Sequence, residues 1–438
     1  MNKPGHPVRR PLCQAIAAVL LLAAAGCGGG QINPGGPAAK LAGDVTVSRG
    51  TAARVPAADP RVLGTADTGF ALGLLSAWCR VQPRSNIVFS PESLATGLGL
   101  AYLGARGATA AAMARALHLP AASGPAVQAD MRARWAALSG LDRPGVTLTG
   151  SNRVWADPSL PPRRSYLNAV ATAYGAGLSR VPLDTDPDRA EQIINAAIDR
   201  DTKGHIPSLL PLGALDDSSW VLTSALYLDA AWATPFQASN TQSGPFTTGP
   251  GDTATVRFMH GDGYQYATAG GWAAVRLPYR GGQLAMTALL PPVGAGDCAL
   301  PSATGLRQLT ANLGRPGGAA RSALARIALP KVNLSTHQQM NGLLAGLGMG
   351  IAFGPRADFT GLSPAAASIS VVEHAATLQV GERGTVGSAA TAVGITSSAA
   401  EGSVGPLIDF DRPYLMLVTD TATGEPLFIA RVANPSAD

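Results

Sequence analysis

The chain has 438 residues, 46% of them hydrophobic and 14% charged, with a formal net charge of +5. It is long enough for one large domain that buries roughly 75% of its unfolded-chain surface, so it needs no disulfide framework to be stable. Lys3, Arg9 and Arg10 supply three of the bases in a stretch without acids, the remainder is close to balanced, and no Lys/Arg cluster with interleaved aromatics points to a nucleic-acid partner. Behind those bases, Leu12 to Gly26 is an apolar stretch too short for a bilayer span, which reads as the core of an export signal over residues 1–26. Residues 27–60 are rich in Gly, Pro and Ala without helical or strand period, and read as a tether. The folded domain is expected over 61–438. Helices dominate its first third: Phe70, Leu74 and Trp78 recur at i+4, and Ser90 followed by Pro91 is a helix start whose inward face is Leu94, Leu98 and Tyr102. Thr109 is expected to cap the next helix, with Met113 and Leu117 inward. Strands follow: Val221 to Leu228, Ala273 to Tyr279, Leu284 to Leu290, Ala325 to Leu329, Ile369 to Val380, Tyr414 to Thr419 and Leu427 to Val432. Helices first and strands later, without regular alternation, argue an α+β fold.

The chemistry-bearing residues exclude more than they suggest. The six histidines are scattered and no Cys-x-x-Cys or His-Glu-x-x-His occurs, so no metal or other cofactor is expected. Neither a Gly-x-Ser-x-Gly elbow nor a Ser-x-x-Lys is present, and no glycine-rich stretch is followed by the Lys-Ser/Thr of a phosphate loop. Cys13 and Cys27 belong to the leader and its end, which leaves Cys79 and Cys298 either paired or free. Arg106, Arg115, Arg132 and Arg134 are loosely spaced and read as a solvated face.

One segment stands apart. From Gly384 to Ala400 there is no charge, no proline and almost no large side chain, between Glu382-Arg383 and Glu401. By composition this is a flexible linker. By pattern it is a strand without a partner: Thr385, Gly387, Ala389, Thr391, Val393 and Ile395 would share one face, and every residue has an N–H to give.

The surrounding text resembles the inhibitory serpins. Glu382-Arg383-Gly384-Thr385, then Gly387-Ser388-Ala389-Ala390-Thr391, is similar to their hinge. Landmarks in the family's order run from about residue 61 to the end: Asn86 to Ser93, Tyr102 to Thr109, Ile194-Asn195 with Thr202 to Ile206, Leu222 to Trp232 with Phe236, Thr241 and Phe246, Leu277 to Tyr279, Leu329 to Lys331, Ala352-Phe353 with Ala357 to Phe359, His374, Asp411 to Tyr414, and Pro426 to Pro435. The resemblance implies a serpin fold, with helices packed on three β-sheets and an exposed reactive loop near the C-terminus. It implies inhibition of a serine protease, or of a papain-like cysteine protease, by suicide-substrate trapping, with the loop inserting as a strand. Counted along the family's spacing, the attacked bond is Ser398–Ala399, within a window from Thr396 to Ala400. A small residue there suits an elastase- or subtilisin-like enzyme. Ser90, Ser93, Ser224 and His374 fall where the family keeps the hydrogen-bonded cluster that lets its main sheet open, with Ser224 in a place usually held by Asn. Trp232 is expected to pack over the point where the loop enters. Ala24-Ala25-Gly26-Cys27 resembles a bacterial lipoprotein cleavage site, which implies a lipid on Cys27 and a monomer held at the outer face of the cell envelope. A non-inhibitory carrier and a surface adhesion protein stay open as alternatives.

Overall fold

A computed structural model of the chain describes residues 43, 45–120, 124–216, 218–313, 323–366, 368–385 and 405–437. Its first half alternates short strands with the helices α1 (Arg61–Val81), α2 (Pro91–Tyr102), α3 (Gly107–Ala116), α4 (Pro125–Leu138), α5 (Arg164–Tyr174) and α6 (Pro187–Asp201). The strands here are β1 (Thr46–Arg49), β2 (Ile87–Phe89), β3 (Val146–Ala156) and β4 (Gly177–Arg180). Strands then take over: β5 (Trp220–Ala231), β6 (Gln242–Gly249), β7 (Asp252–Ala269), β8 (Trp272–Pro278), β9 (Leu284–Leu290), β10 (Leu324–Pro330), β11 (Val332–Gln339), β12 (Val371–Gly381), β13 (Gly384–Thr385), β14 (Leu407–Asp409), β15 (Tyr414–Asp420) and β16 (Pro426–Val432). Helices α7 (Ala303–Asn312) and α8 (Asn341–Leu344) lie among them.

Local chemistry accounts for the elements that matter most. In α1 the stripe Phe70, Leu74 and Trp78 is buried, as an i+4 apolar row on a core-facing helix should be. At the start of α2, Ser90 Oγ accepts the Ser93 N–H at 3.1 Å and Pro91 takes the first helical position. Buried along almost its whole length, α2 lies against β3 and β5 and can therefore present Ser90 and Ser93 to the underside of the sheet. Strand β5 is buried at eleven of its twelve positions, which suits an apolar run covered on both faces.

The main sheet has seven strands in the order β1-β4-β3-β5-β13-β12-β11. Strands β5 and β12 pair in parallel from Val221↔Val371 to Leu226↔Ala376, and the two-residue β13 lies between them at one end only. Toward the β13 end, this seam therefore loses direct pairing between β5 and β12. One face is roofed by α6, whose Ile193, Ile194 and Ala197 pack with Val221, Ala225 and Tyr227 of β5 and with Val371 and Ala375 of β12.

Several expectations are changed. The tether expected over 27–60 ends earlier: Thr46–Arg49 forms an edge strand on β4, and the amides of Thr51 and Ala53 donate to Asn168 and Thr172 of α5. An uncovered β4 edge would leave ladder groups unpaired, which β1 corrects. Gly50 passes so close to α5 that a Cβ there would lie 2.2 Å from the Leu167 backbone. The second and third sheets are continuous, because the 18-residue β7 pairs with β6 along its first part, with β10 through its middle and with β8 along its last. Thr109 is not a cap: α3 begins at Gly107, and the Thr109 hydroxyl accepts the Asp358 N–H instead. Arg134 is no part of a solvated face. It is 3% exposed, pairs with Asp67 and donates to the Thr96 hydroxyl, tying α4 to α1 and α2. Cys79 and Cys298 are joined as a disulfide.

Candidate functional site

The site is built along the seam from its open end. Gly384 and Thr385 pair with Gly381 and Val380 of β12 on one side, and with Ala231 and Ala230 of β5 on the other. Gly384 is required by close approach: a Cβ there would lie 2.2 Å from the Ala230 carbonyl oxygen. Thr385 is fully buried, and its hydroxyl hydrogen-bonds the hydroxyl of Tyr279, which burial pushes up in pKa. Trp232 stacks on Tyr279 with ring centroids 4.5 Å apart, its indole N–H donates to the Gly381 carbonyl at 2.9 Å, and its backbone N–H donates to the Arg383 carbonyl. Glu382 is held by Lys331 at 2.9 Å and by the Thr241 hydroxyl, while its carbonyl accepts the Phe236 N–H. Burial alone would raise the Glu382 carboxyl, but the bonds from Lys331 and Thr241 outweigh it and hold the group below its usual range. The Gly381, Glu382 and Arg383 carbonyls and the Glu382 carboxyl of the turn from β12 into β13 are thus all partnered.

Further along the seam sits a buried row of polar side chains. Asn152 of β3 faces Ser224 of β5, and Ser224 faces His374 of β12, so the three lie side by side across three adjacent strands. Ser90 and Ser93 reach them from below. The Ser90 N–H donates to His374 Nε2 at 3.0 Å, so the ring proton sits on Nδ1, which lies 3.1 Å from the Ser224 carbonyl. The Ser224 and Ser93 hydroxyls are 2.8 Å apart, and Ser93 donates to Asn152 Oδ1 at 2.6 Å. Burial drives His374 down to about 3, with the Ser224 carbonyl pulling the other way, so the ring is neutral and acts as an oriented acceptor and donor. A row of this kind locks β5 to β12 and must rearrange before any strand comes between them. It holds no nucleophile–base geometry open to a substrate. Among the described residues no group of three or more His, Cys, Asp or Glu side chains is placed to bind a metal.

The family model described as Serpin (serine protease inhibitor) matches residues 65–435. The chain belongs to the serpin family. The leukocyte elastase inhibitor of Sus scrofa is 31% identical over 391 residues, covering 85% of this chain and 99% of that protein. Serpin-Z1C of Triticum aestivum is 31% identical over 396 residues, covering 86% and 98%. In fold, the chain is similar to the crystal structure of human glycosylated kallistatin, with a TM-score of 0.73 at 23% identity, covering 87% of this chain and all of that one. As a serpin, the chain is a member of a protease-inhibitor family and not an enzyme.

The structure brings Glu382, Gly384, Thr385 and Trp232 together at the mouth of the seam, and Ser90, Ser93, Ser224 and His374 at its middle. Gly387, Ser388, Ala389, Ala390, Thr391 and the Ser398–Ala399 bond lie outside the described residues, as does Cys27. Sequence reasoning missed Asn152, whose amide oxygen accepts the Ser93 hydroxyl beside Ser224. It also left Tyr279, Lys331 and Thr241 without a role, although each stood within a stretch already matched to the family. The available signal for Asn152 was its polarity within an otherwise β-rich run, Val146 to Trp155, and that alone does not name a partner.

Proposed function

We propose that this serpin is an inhibitor that traps its target protease by inserting its reactive loop into the seam between β5 and β12. The observation that carries the reading is β13. Its two residues are paired on both sides, in the antiparallel sense, at the mouth of a seam closed beyond them by a parallel pair. Carried forward from Thr385↔Ala230 and Gly384↔Ala231, the register sets Gly387, Ala389, Thr391 and Val393 on the inner face with Leu228, Leu226, Ser224 and Leu222. The small residues Ser388, Ala390 and Ala392 then fall on the face that α6 covers. Only a charge-free stretch of small side chains could enter between two such layers.

In the reaction, the protease serine hydroxyl attacks the Ser398 carbonyl. An ester forms, the Ser398–Ala399 amide bond breaks, and the Ala399 amine leaves with a proton. The freed strand from Gly384 to Ser398 spans about 50 Å at roughly 3.3 Å per residue, enough to carry the attached protease to the far end of the sheet before water cleaves the ester. The intact form is then metastable, held by the cost of opening the row around His374. Small residues from Thr396 to Ala400 suit elastase- or subtilisin-like targets, in the same class as the name of the mammalian relatives. The signal over 1–26 and Cys27 support export and a lipid anchor at a bacterial envelope. Mixing the protein with elastase or subtilisin and heating it in detergent is the test: a surviving complex, together with a melting temperature raised by tens of degrees after cleavage between Ser397 and Ala400, is expected. A cut protein that melts at or below the intact one, with no complex, would remove the reading.

A further inference from the structure

Between the last parallel pair, Leu226↔Ala376, and the β13 pairs at Ala230 and Ala231, three residues of β5 and three of β12 have no ladder partner across the seam: Tyr227 to Asp229 and Thr377 to Gln379. A strand growing from Thr385 reaches this stretch first. Its α6 face is not open. The His205 ring lies flat on Tyr227, with centroids 3.6 Å apart and planes 6° from parallel. His205 belongs to the exit turn of α6, which is tightly held. Its N–H donates to the Thr202 carbonyl, Thr202 Oγ1 accepts the Ile206 N–H, and Lys203 and Gly204 adopt positive φ. Lys203 pairs with Asp142 at 3.2 Å, so the turn has a second footing beside β3. Asp229, two residues beyond Tyr227, keeps Oδ1 buried without a hydrogen-bond partner, and burial holds its carboxyl above the usual range.

We propose that His205 is a positioning residue for loop insertion: stacked on Tyr227, it clamps the α6 exit turn over the unpaired stretch of the seam and sets how fast a strand enters. A new strand has to set a side chain beside Tyr227 on that same face, about 5 Å away, and β5 and β12 have to part by about 4.8 Å to admit it. Both displacements need the turn to lift, which breaks the stack. The inference rests on the inhibitory reading above, and the experiment separates the two.

The probe is a synthetic peptide with the sequence of residues 384–398, added to the intact full chain, its uptake followed by the gain in melting temperature. A second readout is the number of inhibitor molecules consumed per elastase trapped. His205→Ala should take up peptide on the order of 2- to 12-fold faster, the range that loss of an aromatic pair commands. It should also lower the consumption per trapped protease. His205→Phe keeps a ring on Tyr227 and should restore the slow rate. Tyr227→Leu, which stays apolar, should accelerate uptake as His205→Ala does, and the double variant should add nothing further. A residue with only a structural role would lower the melting temperature of all variants and leave uptake and consumption unmoved. Unchanged or slower uptake by His205→Ala and Tyr227→Leu, in a background where the native chain takes the peptide, overturns the clamp alone. A native chain that takes no peptide and gains no stability on cleavage overturns the inhibitory reading, and the clamp with it.

Discussion

Thr385→Arg tests loop insertion at the position where the strand is already seated. Thr385 is fully buried between Val380 and Ala230, and its one polar atom is matched to Tyr279. Glu382, the carboxylate of the turn just before it, is already paired with Lys331. An uncompensated buried charge costs about 3–5 kcal/mol. The intact protein can avoid that cost by leaving the hinge outside, and it loses only the few ladder bonds of β13, each contributing about 1 kcal/mol. Insertion cannot avoid it, because Thr385 has to pass into the sheet before any residue behind it. The full penalty therefore falls on the inserting transition state, and insertion slows by roughly 150- to 5,000-fold. Trapping competes with hydrolysis of the same ester. A slowing of that size turns an inhibitor into a substrate that is cut and released. The assay is a titration of elastase with the variant, read by residual activity and by a denaturing gel. Cleaved variant without a stable complex is expected, whereas Thr385→Ser keeps the hydroxyl and should still trap. Unchanged stoichiometry for Thr385→Arg would refute insertion through this seam.

Three further outcomes follow from the site and the loop. Because burial depresses His374 to about 3, its contribution to stability is whole above its ordinary value of 6.5 and is lost as pH falls from there toward 3; thermal unfolding should show that slope, and His374→Gln should flatten it. Ser398→Arg should create inhibition of trypsin-like enzymes, whose pocket carboxylate an Arg satisfies and a Ser leaves unpaired; mass spectrometry should find the cut after residue 398, and a cut beside Arg383 or Arg412 would show the spacing to be wrong. Cys27→Ala should release the body from the membrane fraction or block its processing, since a single acyl chain binds only marginally and stable anchoring needs more than one signal; a variant of mature size that stays with the membrane would move the anchor elsewhere.

The parts of this fold that were legible in the sequence are those in which one element carries its own pattern. The α1 stripe, the Ser90-Pro91 start and the apolar β5 each announce themselves by spacing or capping. Strand β1 was missed although Val45, Thr46 and Val47 carry β-branched side chains, because the Gly/Pro/Ala-rich text before it masks a four-residue edge strand whose partner, β4, lies over 120 residues away. Arg134 was misread for a related reason. A basic residue on a helix with a weak apolar face looks solvated until Asp67 and Thr96 arrive from two other helices to bury it.

The same division runs through the site and follows from what each part has to do. A segment that is to become a strand between β5 and β12 can carry no charge, no proline and little bulk, and those are properties of the chain itself, visible from Gly384 onward without any structure. The lock it must open has the opposite character. Ser90, Ser93, Asn152, Ser224 and His374 come from four elements up to 284 positions apart, and each is an ordinary residue until the others surround it. His374 becomes a neutral, oriented ring only because Ser90 and Ser224 face its two nitrogens in a buried place. A key can therefore be read from a line of text, while the lock that gives it a rate is a property of packing. The speed at which this serpin commits its loop should accordingly respond most to substitutions, such as those at His205 and Asn152, that leave the loop's own sequence untouched.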